Sequence, residues 1–168
     1  MPREPNECGA TRASVVPMAV RRIVTGTDAD GRSYLVSDGV TTGVPGFDEL
    51  WLSEGGNPLR SAAGGPAARL EPAPGGSSWR IFDLPPDEVV AAYLKSQNLA
   101  EPEAGGFHRT DTLDYVMILD GEITLELDRG AATLRSGDCV VQRGTRHAWR
   151  NRSGRPVKMA VVMVSLAR

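Results

Sequence analysis

Histidine and cysteine are scarce, with two of each in 168 residues. Cys8 and Cys139 lie far apart, one in a polar tail and one in an apolar run expected to be a buried strand, so no disulfide framework is in view and a reducing cytoplasm is the expected compartment. No C-x-x-C, Gly-rich phosphate loop or nucleophile elbow occurs, which disfavours NTP use and Ser or Cys hydrolysis. Charge of one sign is also missing: 19 basic against 21 acidic residues leave a net charge of −2 and no electrostatic case for a nucleic-acid partner. No apolar run approaches the roughly 18 residues of a membrane span, so no membrane partner is expected. The opening MPREPNECGATRASVVPMAV carries Pro, Glu and Arg where a secretory leader needs an apolar stretch.

What the chain does have is turn chemistry and alternation. Its length sets one domain as the default, large enough to bury a core unaided. Residues 1–15 read as a loose tail. RRIVTGTDADGRSYLVSDG holds two β-prone runs around a DADGR turn, and FDELWLSE is another strand, with Phe47, Glu49 and Trp51 on one face or Leu50 and Leu52 on the other. Residues 54–77, dense in Gly, Pro and Ala, read as a long surface loop. SWRIFDLPP is a strand stopped by two prolines. DEVVAAYLKSQNLA, acidic at its start with apolar residues at helical spacing, is a short helix ended by EPEAGG.

From residue 107 the pattern tightens. FHRTDTLDYVMILDG is one strand or two divided by a kink; EITLELD sets Ile123, Leu125 and Leu127 on one side; AATLRS, CVVQ, HAWRN and VKMAVVMVSL follow, with turns at Arg129-Gly130 and SGD. Met159, Val161 and Met163 share a face that suits a barrel interior. Seven or so short, closely spaced strands with little helix indicate a sandwich or barrel.

In an extended strand His108, Thr110, Thr112 and Asp114 share a face, so an imidazole and a carboxylate are presented together with hydroxyls between them. His147 and Trp149 share a face of a later strand. Two neutral imidazoles and a carboxylate would suit a divalent first-row metal with positions left open for water or substrate; either histidine could instead be a hydrogen-bonded core residue. Thr110 and Thr112 are inward β-formers or substrate-contacting hydroxyls. Arg143, Arg146, Arg150, Arg152 and Arg155 crowd around His147 as a solvated rim, or one of them, Arg146 the candidate, binds a substrate carboxylate or phenolate. Trp79 and Trp149 are core or, for Trp149, an aromatic pocket wall. Tyr115 should pack, and Cys139 should be inert.

These residues resemble the two motifs of the cupin superfamily, in its small single-domain form. Gly105 or Gly106, His108, Thr110, Asp114 and Gly121 correspond to the first motif; Gly137-Asp138, Gly144, His147 and Asn151 correspond to the second, one residue short between the glycines and with Gln142 in place of proline. The resemblance implies an all-β double-stranded β-helix, a jelly-roll barrel, with an N-terminal strand extension and one short helix. Residues 16–104 would pack on a motif core over 105–168, in one domain overall, and a homodimer would form through the N-terminal strands. Metal-binding members are similar to a three-His, one-Glu set; here Thr110 replaces the second His and Asp114 the Glu, leaving His108, Asp114 and His147 for Fe, Mn, Zn or Ni, or a site without metal. The implied activity is non-oxidative chemistry (decarboxylation, dehydration or isomerisation) on a small organic acid or an aromatic or polyketide-like molecule. His108, His147 and Asp114 would be catalytic, and Thr110, Thr112, Trp149 and Arg146 would contact the substrate. An Fe(II)-dependent dioxygenase and a non-catalytic, metal-free binding cupin are the alternatives.

Overall fold

The computed structural model describes residues 20–41, 47–53, 71–97 and 105–166. The tail over 1–15 and most of the Gly/Pro-rich 54–77 segment lie outside the described residues, as does Cys8.

Ten strands and one helix follow in chain order: β1 Arg21–Thr27, β2 Ser33–Val40, β3 Phe47–Ser53, β4 Ser77–Leu84, α1 Asp87–Ser96, β5 Thr112–Asp120, β6 Glu122–Leu127, β7 Ala131–Arg135, β8 Cys139–Arg143, β9 His147–Arg150 and β10 Val157–Ser165. β1 and β2 form a hairpin of their own around the Asp28–Arg32 turn. The other strands form a five-stranded sheet, β3-β4-β10-β5-β8, and a three-stranded sheet, β7-β6-β9. All pairings are antiparallel. Two facing antiparallel sheets whose sequential neighbours β5 and β6 sit in different sheets make the expected jelly-roll barrel.

Turn glycines allow the chain to change sheet. Gly121, between β5 and β6, has φ 97°, and a Cβ there would meet Val157 at 2.9 Å, so both backbone and packing demand glycine. The core lies between the sheets: Val116 and Ile118 from β5, Ile123 from β6, and Val157, Met159, Val161 and Met163 from β10, with Phe82, Leu84, Leu134, Val140 and Trp149 packed against them. Period-two alternation in β5 and β10 is the sequence pattern that fills it.

Several expectations give way to tertiary context. Of the two readings of FHRTDTLDYVMILDG, the divided one holds: β5 begins at Thr112, and His108 makes a separate bridge to His147 in the other sheet. Trp79, expected in the core, points outward from β4 and is 47% exposed, because Ser78 and Arg80 take the inward positions. Tyr115, expected to pack, alternates outward and is 50% exposed; Cys139, expected to be buried, is exposed at the first position of β8; Leu127 lies at the open end of β6 and is exposed too. α1 buries no residue, so Val89, Val90 and Tyr93 face away from the barrel. In β3 the register shifts between Glu49 and Trp51, and that bulge lets Asp48, Glu49, Leu50, Leu52 and Ser53 all be buried where strict alternation predicts two opposite faces.

Candidate functional site

The two histidines are cross-strand partners. His108 N–H donates to the His147 carbonyl at 2.9 Å and His147 N–H donates back at 2.9 Å, so the two residues form one narrow antiparallel bridge. Their side chains must then share a face, and the rings lie 4.4 Å apart, centroid to centroid, tilted by 55°. Gly105 and Gly106, at φ 79° and 68°, make the turn that delivers His108 to that bridge. His147 is buried and His108 partly buried.

Each ring is held from behind by a carbonyl. His108 Nδ1 lies 3.2 Å from the Gly106 oxygen and His147 Nδ1 lies 2.9 Å from the Thr145 oxygen. A carbonyl only accepts, so these contacts are hydrogen bonds in the tautomer with the proton on Nδ1, the one that leaves Nε2 with its lone pair. Gln142 fixes the same turn: its amide donates to the Thr145 carbonyl at 3.0 Å and contacts the Thr145 hydroxyl, with His147 Nδ1 3.1 Å away. Burial, more than the neighbouring His108, holds the His147 pKa below 6.5, against the opposing pull of the Thr145 carbonyl. His147 is therefore a neutral base at physiological pH.

Asp114 is buried on the inner face of β5. Its carboxyl pKa is pushed above 3.8, first by burial; the Thr112 hydroxyl bond opposes this, Glu71 adds to it, and His108 opposes it. Thr110 and Thr112, both buried, lie hydroxyl to hydroxyl at 2.8 Å. Thr110, Thr112, Asp114 and the histidine pair thus occupy one end of the barrel interior, as the shared strand face predicts. Trp149 stands edge-on to His147 with ring centroids 6.1 Å apart, a wall of the same space and a member of the core.

Among the described residues no group of three His, Cys, Asp or Glu side chains is gathered as a metal site. The two imidazoles come together, and Asp114, with Oδ1 unpartnered, is buried on the inner face of β5.

The arginines behave as a rim. Arg146 pairs with Asp128 at 2.7 Å and lies over the Phe107 ring; Arg150 and Arg152 both hold Glu126 at 2.8 Å; Arg155 pairs with Asp120 at 3.0 Å. Arg146 is therefore turned to Asp128. Asn151 proves architectural: fully buried, it donates to the Leu84 and Arg155 carbonyls and accepts from Ser153.

Sequence reasoning missed the polar residues that β3 and β4 add to the interior. Arg80, 1% exposed, donates through Nε to Glu49 at 2.7 Å, and Ser78 is equally buried. In the ladder Ser78, Met163, Asp114 and Gln142 stand in one row across β4, β10, β5 and β8. The signal was available in SSWRIF, where a serine and an arginine share a face with Phe82. The bulge in β3 concealed Glu49.

Residues 97–164 match the family model described as the cupin domain, Cupin_2. Among curated relatives, the phomopsin biosynthesis cluster protein C' of Diaporthe leptostromiformis is 46% identical over 81 residues, 48% of this chain and 35% of that protein. A cupin-domain-containing oxidoreductase of Hypocrea virens is 44% identical over 48 residues, 28% of this chain and 25% of its own. The chain thus spans about a third or less of these relatives' lengths. Among solved structures, an RmlC-like cupin protein of Methanocaldococcus jannaschii with a double-stranded β-helix fold covers 53% of this chain and 70% of its own at 16% identity, with a TM-score of 0.39.

Proposed function

We propose that the chain, whose residues 97–164 match the Cupin_2 family model, is a small-molecule enzyme whose reaction turns on proton transfer inside the barrel. The observation that carries this reading is the paired histidines, each with Nδ1 held by a carbonyl and Nε2 left as an acceptor. His147 removes a proton from a carbon or hydroxyl group of the substrate, and its lowered pKa keeps it in the form able to do so. The His147 imidazolium then returns that proton to the product, and His108, at the more open edge, is the neighbouring imidazole through which the proton exchanges with solvent. Asp114 favours the imidazolium that forms next to it. Trp149 and the apolar core close the space to water. Decarboxylation, dehydration and isomerisation are the reaction types this serves. A divalent metal held by His108, His147 and Asp114 would add Lewis-acid polarisation of a carbonyl or carboxylate.

The test is carbon-acid chemistry without an oxidant. The full chain is incubated in D2O with acetoacetate, oxaloacetate and the amino ketone aminoacetone, and deuterium wash-in and CO2 release are followed by NMR. Activity in wild type that falls at least a hundredfold in His147→Ala, and drops at acid pH as the imidazole protonates, supports the reading. Activity unchanged in His147→Ala overturns it.

A second reading, an Fe(II)-dependent dioxygenase, has the support of relatives named as oxidoreductases. Oxygen uptake that requires added Fe(II), with stoichiometric iron by plasma mass spectrometry, would select it. Saturable binding with neither chemistry would leave the non-catalytic cupin.

A homodimer fits the outer face of the five-stranded sheet. Trp79, Tyr115 and Val141 stand in one row there, with Met117 in the next, all between 45% and 57% exposed. Apolar patches above a few hundred Å2 are uncommon on monomers. Light scattering should give twice the chain mass for wild type and the single mass for Tyr115→Arg.

A further inference from the structure

Among the described residues, three buried side-chain oxygens have no hydrogen-bond partner: Glu49 Oε1 on β3, Ser78 Oγ on β4 and Asp114 Oδ1 on β5. Each residue is at least nine-tenths buried, at 9%, 1% and 5% exposure. They are not scattered. Glu49 pairs in register with Arg80, two residues from Ser78 on the same face, and Ser78 and Asp114 flank Met163 from opposite sides. All three oxygens therefore sit on the inner face of the five-stranded sheet. Buried polar atoms without partners are rare in folded proteins, and three on one wall of a barrel mark a place where something else supplies the hydrogen bonds. Two of the three come from strands that precede the matched cupin region.

The chemistry of the missing partner follows from what is already satisfied. Arg80 is committed to Glu49 through Nε, so that pair is close to neutral. Among the described residues no basic side chain forms an ion pair with Asp114; the nearest buried guanidinium on this wall, that of Arg80, lies 3.9 Å from Met163 Sδ through Nη1 and is paired with Glu49. Ionised carboxylates have acceptors only. The two carboxylate oxygens left without partners call for hydrogen-bond donors, and the Ser78 hydroxyl can accept from the same donor. On the rim Arg146, Arg150, Arg152 and Arg155 are each held by a carboxylate, and Arg109 and Arg143 are exposed to solvent. An organic acid entering here would meet Asp114 as a like charge.

We propose that the barrel recognises its substrate through an amine: a protonated amino group bound by Asp114 and Ser78 over the Met163 side chain, with Glu49 as a further acceptor, so that the substrate class is a small amine and not the organic acid that the family resemblance implies. Asp114 and Ser78 are specificity determinants, and Met163 is the apolar floor against which the carbon bearing the nitrogen rests. The assignment rests on the reading of the barrel interior as a small-molecule site, and it makes a different prediction.

Benzylamine and benzoate test it, because they share a ring and differ in the sign of the charge. The full chain, labelled at the methionine methyls, is titrated with each, and the Met163 methyl signal is followed by NMR. Benzylamine is expected to bind saturably and shift Met163, with benzoate at least tenfold weaker. Asp114→Asn should weaken benzylamine at least tenfold and Ser78→Ala severalfold, while Tyr115→Ser, on the outer face, leaves it unchanged. Thermal melts establish that each variant is folded; Ser78→Ala carries the comparison alone if Asp114→Asn is not. Benzoate binding as tightly as benzylamine, with Met163 shifted, would overturn the amine assignment and leave the small-molecule site standing. Benzylamine affinity untouched by both substitutions would overturn it as well. If neither probe moved Met163, both the assignment and the reading beneath it would fall.

Discussion

The two ends of the barrel interior are built from the same strands and bury nearly opposite chemistries. Along β5 the inward positions run Thr112, Asp114, Val116, Ile118, a gradient from hydroxyl through carboxylate to branched aliphatic. β4 repeats it with Ser78, Arg80 and Phe82, and β9 adds His147 and then Trp149. At one end Ile118, Ile123, Val157 and Met159 close a dry core. At the other, hydroxyls, carboxylates, a guanidinium and two imidazoles are buried at a cost that apolar side chains would not incur. The contrast teaches that the apolar end holds the fold together, and that the polar end is kept in spite of its effect on stability, which is the mark of a site.

Substitutions can break that division or sharpen it. The largest effect is expected for Arg80→Met, which leaves Glu49 buried without its cation and should cost about 3–5 kcal/mol in denaturant unfolding. Adding Glu49→Leu should recover most of the loss; no recovery would mean that Arg80 supports the fold by packing alone. Ile118→Ala, at the apolar end, should cost about 2–5 kcal/mol by opening a cavity while leaving the histidine pair and benzylamine binding intact in the folded fraction. A comparable loss of binding would erase the distinction between the two ends.

Smaller still is the pH dependence of the polar end. The Asp114 carboxyl has its pKa raised above 3.8 in the folded chain, so its contribution to stability is fully present below about pH 4 and is lost as pH rises through the folded value. Asp114→Asn should therefore melt higher than wild type at neutral pH, with the gap closing towards pH 4. Glu49, raised above 4.5 chiefly by burial, keeps part of the same slope in the variant. His147, lowered below 6.5, acts in the other direction, with stability lost as pH falls through its folded value. A variant that melts below wild type at pH 7 would show that the Asp114 charge is stabilised by a group other than those facing it. Least of all, Arg155→Ala removes an exposed pair with Asp120 and should shift stability by no more than about 0.5 kcal/mol, with binding unchanged.

Much of the barrel was legible from residue order because alternation at period two is a local property. Strands β5 to β10, their turn glycines and the shared face of His108, Thr110, Thr112 and Asp114 could all be read in that way. So could the meeting of the two histidines, since both motifs carry one at the mouth. Trp79 and Tyr115 show where this fails: a large apolar residue in a strand points wherever its register sends it, and the register put Ser78 and Asp114 inside instead.

The sequence by itself determined the strands, the turns and the scarcity that makes His108 and His147 stand out. Only the tertiary structure decided that these two residues exchange backbone hydrogen bonds and that Glu49, Ser78 and Arg80 join the interior. The reason is physical. Alternation along one strand fixes which residues share a face, but which face is inside, and which residues from distant strands meet across it, depends on sheet order, on the bulge in β3, and on burial that no single strand can supply.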